Sequence, residues 1–170
     1  EVLRGYSTVY LYAWPMGVYF AMRMLPDWMK PVACYAVNGT PSPCHDTLGI
    51  PRDIFLGTAK GLTSRSLEKF RMRMCGSADR YCELQPCLSG GDVSRLAKQL
   101  LDVAGGGDSV QGRLTWRAAY VSEKDRIFPP DNQKRAWHGM TEVRSLPGPH
   151  YVDLASIVHH TVIDVARVGE

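Results

Sequence analysis

The sequence has no pair of cysteines two residues apart. Its five cysteines, Cys34, Cys44, Cys75, Cys82 and Cys87, are odd in number and scattered. A disulfide framework or a zinc site is therefore not expected, and a reducing cytoplasm fits better. No apolar run is long enough to span a membrane, and no signal-peptide layout opens the chain. No internal repeat or low-complexity tract is present. Charge of one sign is also scarce. A formal net charge of +3 over 170 residues lacks the dense basic clusters of a nucleic-acid binder. What remains is an ordinary globular composition, 45% hydrophobic, and enough length for one domain with a full core. The chain starts at Glu1, one short turn before a buried run, so it is expected to begin partway into a longer domain.

That first run organises the reading. Ser7 to Ala13 is apolar or aromatic nearly throughout, as in an interior strand of a parallel sheet. Ala13-Trp14-Pro15-Met16-Gly17 follows, and Met16 to Leu25 reads as a helix that stops at Pro26. Strand, sharp corner, helix is the layout of a nucleophile elbow, whose pattern is small-x-Ser-x-Gly. Here Pro15 stands at the serine position.

Val32 to Val37 is a second strand, ended by the turn signal Asn38-Gly39. Asn38-Gly39-Thr40 is formally a glycosylation sequon, but nothing else points to secretion. Residues 41 to 57, rich in Pro, Gly and Asp, read as an ordered loop. Thr63 is an N-cap, with Leu62 and Leu67 placed for a hydrophobic staple. Leu67, Phe70 and Met74 form one face of the helix, and Gly76 ends it. Arg65, Lys69, Arg71 and Arg73 share the remaining surface with Glu68 alone. That surface is either a solvated helix face or a landing strip for an acidic partner. Asp92 caps another helix, ended by Gly105-Gly106-Gly107. Leu114 to Val121 and Met140 to Leu146 are further strands, with a helix at Asn132 to Trp137 between them. A closing helix runs from Tyr151 to about Val168. The alternation predicts an α/β fold with a mostly parallel sheet of about four strands flanked by helices. A helical insertion at 53–104 falls inside this one domain, residues 1–170.

In such sheets chemistry gathers at the carboxyl ends of the strands. Asp125 follows the third strand and His150 the fourth. Nucleophile position, Asp, His is the chain order of an α/β-hydrolase triad. In such a triad His acts as base, and Asp holds its other ring nitrogen. His159-His160 has no acid or cysteine spaced to complete a metal site and reads as structural; no cofactor is expected. His45 and Asp46 lie in a loop that could line a cleft. Ser7, Cys34 and Ser122 do not substitute for the missing nucleophile. Ser7 is at the wrong end of its strand, Cys34 reads as core, and Ser122 lies beside the acid rather than at a helix start.

Together these residues resemble a family. The matching runs are Ala13-Trp14-x-Met16-Gly17-Val18, Ala36-Val37-Asn38-Gly39-Thr40, Gly49-Ile50-Pro51, Ile54-Phe55-x-Gly57-Thr58, Asp125-Arg126-Ile127-Phe128-Pro129, Asn132-Gln133 and Gly148-Pro149-His150-Tyr151. They are similar to the BioG-type pimeloyl-acyl-carrier-protein methyl ester esterases of bacterial biotin synthesis, across nearly the whole chain. The resemblance implies an α/β-hydrolase fold with a small helical lid at about 53–104. It also implies a methyl ester substrate on a pimeloyl chain carried by acyl carrier protein. Carried over, Asp125 is the triad acid, His150 the base, Met16 a backbone oxyanion donor and Trp14 a substrate contact. Arg65, Lys69 and Arg73 become candidates for holding the carrier protein.

Two departures stand out. The family has further chain before the elbow, including a Gly-Trp oxyanion segment that this sequence lacks. Without those strands the first strand is expected to be a sheet edge open to self-association. The second departure is Pro15. Its locked φ excludes the strained elbow, so a relaxed turn is expected, with Pro15 at the helix start and Met16 displaced. The expected function is a carboxylic ester hydrolase by descent with impaired activity. The alternative is a non-catalytic carrier-protein-binding homologue or fragment.

Overall fold

The structure is a computed structural model, which describes residues 2–88, 90–107, 114–159 and 161. After a short 3-10 turn at Val2–Gly5, the elements run β1 (Tyr10–Ala13), α1 (Gly17–Met24), β2 (Ala33–Val37), α2 (Arg52–Lys60), α3 (Ser64–Cys75), α4 (Ala78–Leu88), α5 (Val93–Gly105), β3 (Trp116–Ser122), α6 (Pro130–Trp137) and β4 (Glu142–Leu146). Residues 154–159 are helical again. The four strands lie in the order β1-β2-β3-β4, and every pairing is parallel. All four carboxyl ends therefore open on one edge of the sheet. The fold is that of an α/β-hydrolase.

Alternation along β2 sets the two faces. Cys34 and Ala36 look one way and pack with Val18 and Met22 of α1 and with Trp137 of α6. Ala33, Tyr35 and Val37 look the other way and pack with Ala118, Tyr120 and Ile157. Small residues at Ala36 and Ala119 let the helices approach, and Trp116 fills the space left, edge-on to Trp137 at 5.3 Å. On the opposite face Tyr12 stacks on Tyr35 at 4.9 Å.

The four helices between β2 and β3 form a block of their own, α2 packed on α5 and α3 on α4. Their shared core of Phe55, Met74, Cys75, Tyr81 and Val103 continues into Tyr19 and Phe128 of the sheet layer. The caps are those the sequence implies. Thr63 Oγ1 accepts from Ser66 N–H at 3.1 Å while Thr63 N–H donates to Ser66 Oγ at 2.8 Å. Asp92 Oδ1 accepts from Ser94 and Arg95 N–H at 2.8 and 3.2 Å.

Three expectations need correction. β1 is shorter than the apolar run, since residues 7–9 lie outside it. The supposed loop at 41–57 already contains the start of α2. Its Pro and Gly content masked Pro51 just ahead of a helix start, Asp53 in the first turn and Lys60 in the last. Residues 78–88, inside the expected helical insertion at 53–104 but not read as a helix of their own, form α4, with Pro86 inside it. The closing helix begins at 154, but Val162, Val165 and His160 lie outside the described residues.

Gly76 ends α3 in the left-handed region, φ +84°, and a Cβ there would sit 2.8 Å from Pro149. The next turn is held as well, Tyr151 N–H donating to Met74 O at 3.0 Å. The helical block is thus seated directly on the loop that carries His150. Gly76→Ala is expected to destabilise by about 1–2 kcal/mol from backbone conformation alone, with more from the overlap. Urea unfolding of the two proteins measures it.

Candidate active site

The Asn38-Gly39 turn at the end of β2 is where the strand ends are tied together. Asn38 is fully buried and is the one non-glycine residue with positive φ (46°) among the described residues. Its side chain is fully employed. Nδ2 donates to Ser122 Oγ at 2.8 Å and to His150 O at 2.7 Å, and Oδ1 accepts from Ser122 N–H at 2.8 Å. Gly39 faces the remaining strand end, where an added Cβ would fall 2.1 Å from Pro15 O. Its own carbonyl accepts from Trp137 Nε1 at 2.9 Å. One dipeptide thus fixes the ends of β1 and β3 and the His150 loop after β4. Burial of Asn38 and Thr40 also removes the sequon as a glycan site.

Asp125 is buried after β3 and its carboxylate accepts four hydrogen bonds. Oδ1 takes the N–H groups of Ile127 and Phe128 at 2.8 and 2.9 Å. Oδ2 takes Gln133 Nε2 at 3.0 Å and His150 Nδ1 at 2.8 Å. A carboxylate surrounded by donors stays an acceptor, so His150 carries its proton on Nδ1. Nε2 is the ring nitrogen away from Asp125. His150 is 1% exposed. Phe128 stacks parallel to it at 6.0 Å, and Trp14 lies on it at 5.5 Å while donating from Nε1 to His150 O at 3.3 Å. Among the described residues buried Nε2 has no hydrogen-bond partner.

Pro15 closes the third corner. Its φ is not positive, and the chain runs into α1 through Gly17 N–H to Trp14 O and Val18 N–H to Pro15 O, both 3.3 Å. The elbow is relaxed, as a fixed proline φ requires.

These corners border a cavity of about 400 Å³. Trp14, Pro15, Met16 and His150 line its sheet side, with Arg126, Ile127 and Phe128 beside them. Ile54, Phe55, Leu62, Leu67, Phe70 and Leu100 of the helical block close it over. Of the three basic residues singled out on α3, Arg73 lines the cavity, whereas Arg65 and Lys69 are exposed outside it. Arg71 is used locally and donates to Gly90 O. His45 and Asp46 do not line this cavity. His45 Nδ1 accepts from Thr47 and Leu48 N–H, both at 3.2 Å, and Asp46 Oδ1 accepts from Arg52 N–H at 2.8 Å; both shape the approach to α2. Cys34 is buried within β2, and burial pushes its thiol up to about 11, so it is no nucleophile. Ser122 is held by Asn38. Among the described residues no His, Cys, Asp and Glu cluster could hold a metal ion.

Sequence reasoning missed the roles of Asn38, Gly39, Gln133 and Arg126. The Asn-Gly pair was visible as a turn. Its side-chain clamp depends on residues 84 and 112 positions away, which no local pattern reveals.

Comparison with known proteins follows the same lines. Residues 2–163 match the family described as pimeloyl-ACP methyl esterase BioG. The chain is 37% identical over 153 residues to malonyl-[acyl-carrier protein] O-methyltransferase of Bacteroides fragilis, covering 88% of this chain and 31% of that one. It is 36% identical over 153 residues to an uncharacterized protein of Haemophilus influenzae, covering 70% of it. The chain therefore spans about a third of the first relative and about two thirds of the second. The crystal structure of BioG from H. influenzae superposes with a TM-score of 0.80 at 33% identity, over 88% of this chain and 70% of that one. Human thioesterase 2 shares the fold, with a TM-score of 0.57 at 15% identity over 98% of this chain and 76% of that one.

Asn38→Ala removes the partner of Ser122 N–H and one donor to His150 O, both interior. A loss of about 2–4 kcal/mol is expected, read as a lowered midpoint in urea.

Proposed function

Because the chain belongs to the pimeloyl-ACP methyl esterase BioG family, we propose that it carries the acyl-ester site of a carboxylic ester hydrolase with the nucleophile position filled by Pro15. The substrate class is a methyl ester on a pimeloyl chain borne by acyl carrier protein, as in biotin synthesis. The observation that carries this reading is the Asp125–His150 pair at 2.8 Å, whose His150 lines the same largely apolar cavity as Pro15. In the reaction the site is shaped for, a hydroxyl at position 15 attacks the ester carbonyl. His150 Nε2 takes its proton and returns it to the departing methanol, and Asp125 stabilises the imidazolium. Water then repeats the sequence on the acyl-enzyme. The backbone N–H of Met16 stands at the start of α1, where developing negative charge on the carbonyl oxygen is favoured. Trp14 packs on the acyl group, and the block α2–α5 serves as the lid.

Arg65, Lys69 and Arg73 are the contact for the acidic carrier protein, with Arg73 at the junction of that surface and the cavity. Five scattered cysteines with no Cys-x-x-Cys pair support a cytoplasmic setting, and among the described residues no helix is long and apolar enough to cross a membrane. Among the described residues β1 pairs with β2 alone, which makes its outer edge a candidate surface for strand addition, by a second copy among others.

A second reading is favoured by Pro15 itself. With no hydroxyl there, the chain acts as a carrier-protein-binding homologue that turns substrate over poorly or not at all.

Pro15→Ser is expected to raise hydrolysis of a short-chain p-nitrophenyl ester by at least about a hundredfold, and His150→Ala on that background to abolish the gain. Absence of any gain removes the esterase reading. For the partner surface, binding to acyl carrier protein is expected to weaken steeply with salt and to drop about tenfold when Arg65 and Arg73 become Glu. Titration at two ionic strengths checks it.

A further inference from the structure

The four helices over the cavity fall into two pairs. α2 packs on α5 and α3 on α4, and among the described residues no packing of comparable extent joins one pair to the other. The pairs are held differently. α2 buries Phe55 and Ala59 along its length. The chain leaving α5 is tied to α1, Arg23 of that helix donating to Gly107 O at 2.7 Å. By contrast α3 buries Met74 and Cys75, both in its last turn, and α4 buries Tyr81 alone. The α3–α4 hairpin is therefore anchored at its tip, around the turn between its two helices.

That tip is latched to the loop after β4. Tyr151 N–H donates to Met74 O at 3.0 Å, and Pro149 lies so close that a Cβ on Gly76 would fall 2.8 Å from it. The seat itself is fixed, because Asn38 Nδ2 donates to the carbonyl of the intervening His150 at 2.7 Å. At its other end the hairpin follows Gly61, which closes α2. It leads into α5 through Gly90 and Gly91, with φ of +92° and +105°. An added Cβ at Gly90 would meet open space, so no packing opposes rotation at this joint. α3 supplies Leu67, Phe70, Arg73 and Met74 to the cavity wall, while α4 supplies no part of it.

We propose that the α3–α4 hairpin is a flap. It swings on its glycine joints and releases its tip from Pro149 and Tyr151, opening one side of the cavity while α2 and α5 stay packed on the body. Units with few buried side chains are the ones that open locally, and here three buried side chains, one backbone hydrogen bond and one proline contact hold the tip. The inference rests on reading the cavity as a ligand chamber and names the part that admits the ligand. It is measured without substrate, so it stands or falls apart from turnover by Pro15→Ser.

The experiment is amide hydrogen exchange followed by NMR on the unaltered chain. Amides of α3 and α4 are expected to exchange at least about a hundredfold faster than those of α2 and α5. The Tyr151 amide should exchange with α3, because its acceptor leaves with the flap. Asp92 is exposed, and Asp92→Ala removes only the cap of α5, a loss worth about fivefold in an opening equilibrium. It should speed exchange in α2 and α5 by that factor and leave α3, α4 and Tyr151 unchanged, since α5 remains capped when the flap is open. Thiol labelling gives a second readout. Cys75 is buried at the tip of the flap and Cys34 in β2. With each rate taken relative to that in urea, Cys75 should be labelled at least about a hundredfold faster than Cys34. One exchange class across all four helices, a Tyr151 amide slower than α3, an equal response of all four helices to Asp92→Ala, or equal labelling of Cys75 and Cys34 would overturn the proposal.

Discussion

The clamp made by Asn38 and Gly39 is the constraint on which the site depends. A parallel sheet brings strand ends to one edge, but it does not fix them relative to one another at hydrogen-bond precision. Here one buried side chain holds the backbone after β3 and the carbonyl of His150, while the glycine beside it lets β2 meet Pro15 backbone to backbone. Both positions have narrow chemistry. Asn tolerates left-handed φ better than most residues and supplies donors and an acceptor together. Glycine is required at 39 because a methyl group has nowhere to go.

Much of this was legible in the sequence. Strand runs, the Asn38-Gly39 and Gly76 stops, and the caps at Thr63 and Asp92 are local signals, and locally determined features emerged where the residues placed them. Asp125 and His150 could be paired because chain order and strand ends are topological facts that survive without coordinates. The misses have a common cause. Helix α2 was hidden by Pro51 and Gly57, which mark loops as often as they mark helix starts and exposed helix faces. Helix α4 has only one buried residue, Tyr81, so its apolar periodicity is faint. Arg73 looked like one of a row of surface cations. Only the fold shows that the row diverges, with Arg73 at the cavity, Arg71 tied to Gly90 and Arg65 and Lys69 facing outward.

Proline at the elbow has two separate consequences. It offers no hydroxyl, and its fixed φ excludes a left-handed corner. Gly39 packs directly on Pro15 and α1 starts at Gly17, so the corner is a plain turn into the helix. Met16, the N-cap residue of α1, lines the cavity beside Pro15.

Asp125 and His150 are not equal in what the fold asks of them. Asp125 is anchored by two backbone N–H groups of its own loop and by Gln133, so the turn into α6 requires it whether or not any reaction occurs. His150 has a structural claim only on one side. Nδ1 is satisfied by Asp125 and the ring is packed by Phe128 and Trp14, work that an apolar ring could share. Among the described residues Nε2 makes no hydrogen bond, so it carries a desolvation cost. That cost is set by the bond to Asp125 on the opposite ring nitrogen, which fixes the ring and leaves Nε2 no say in where it lies.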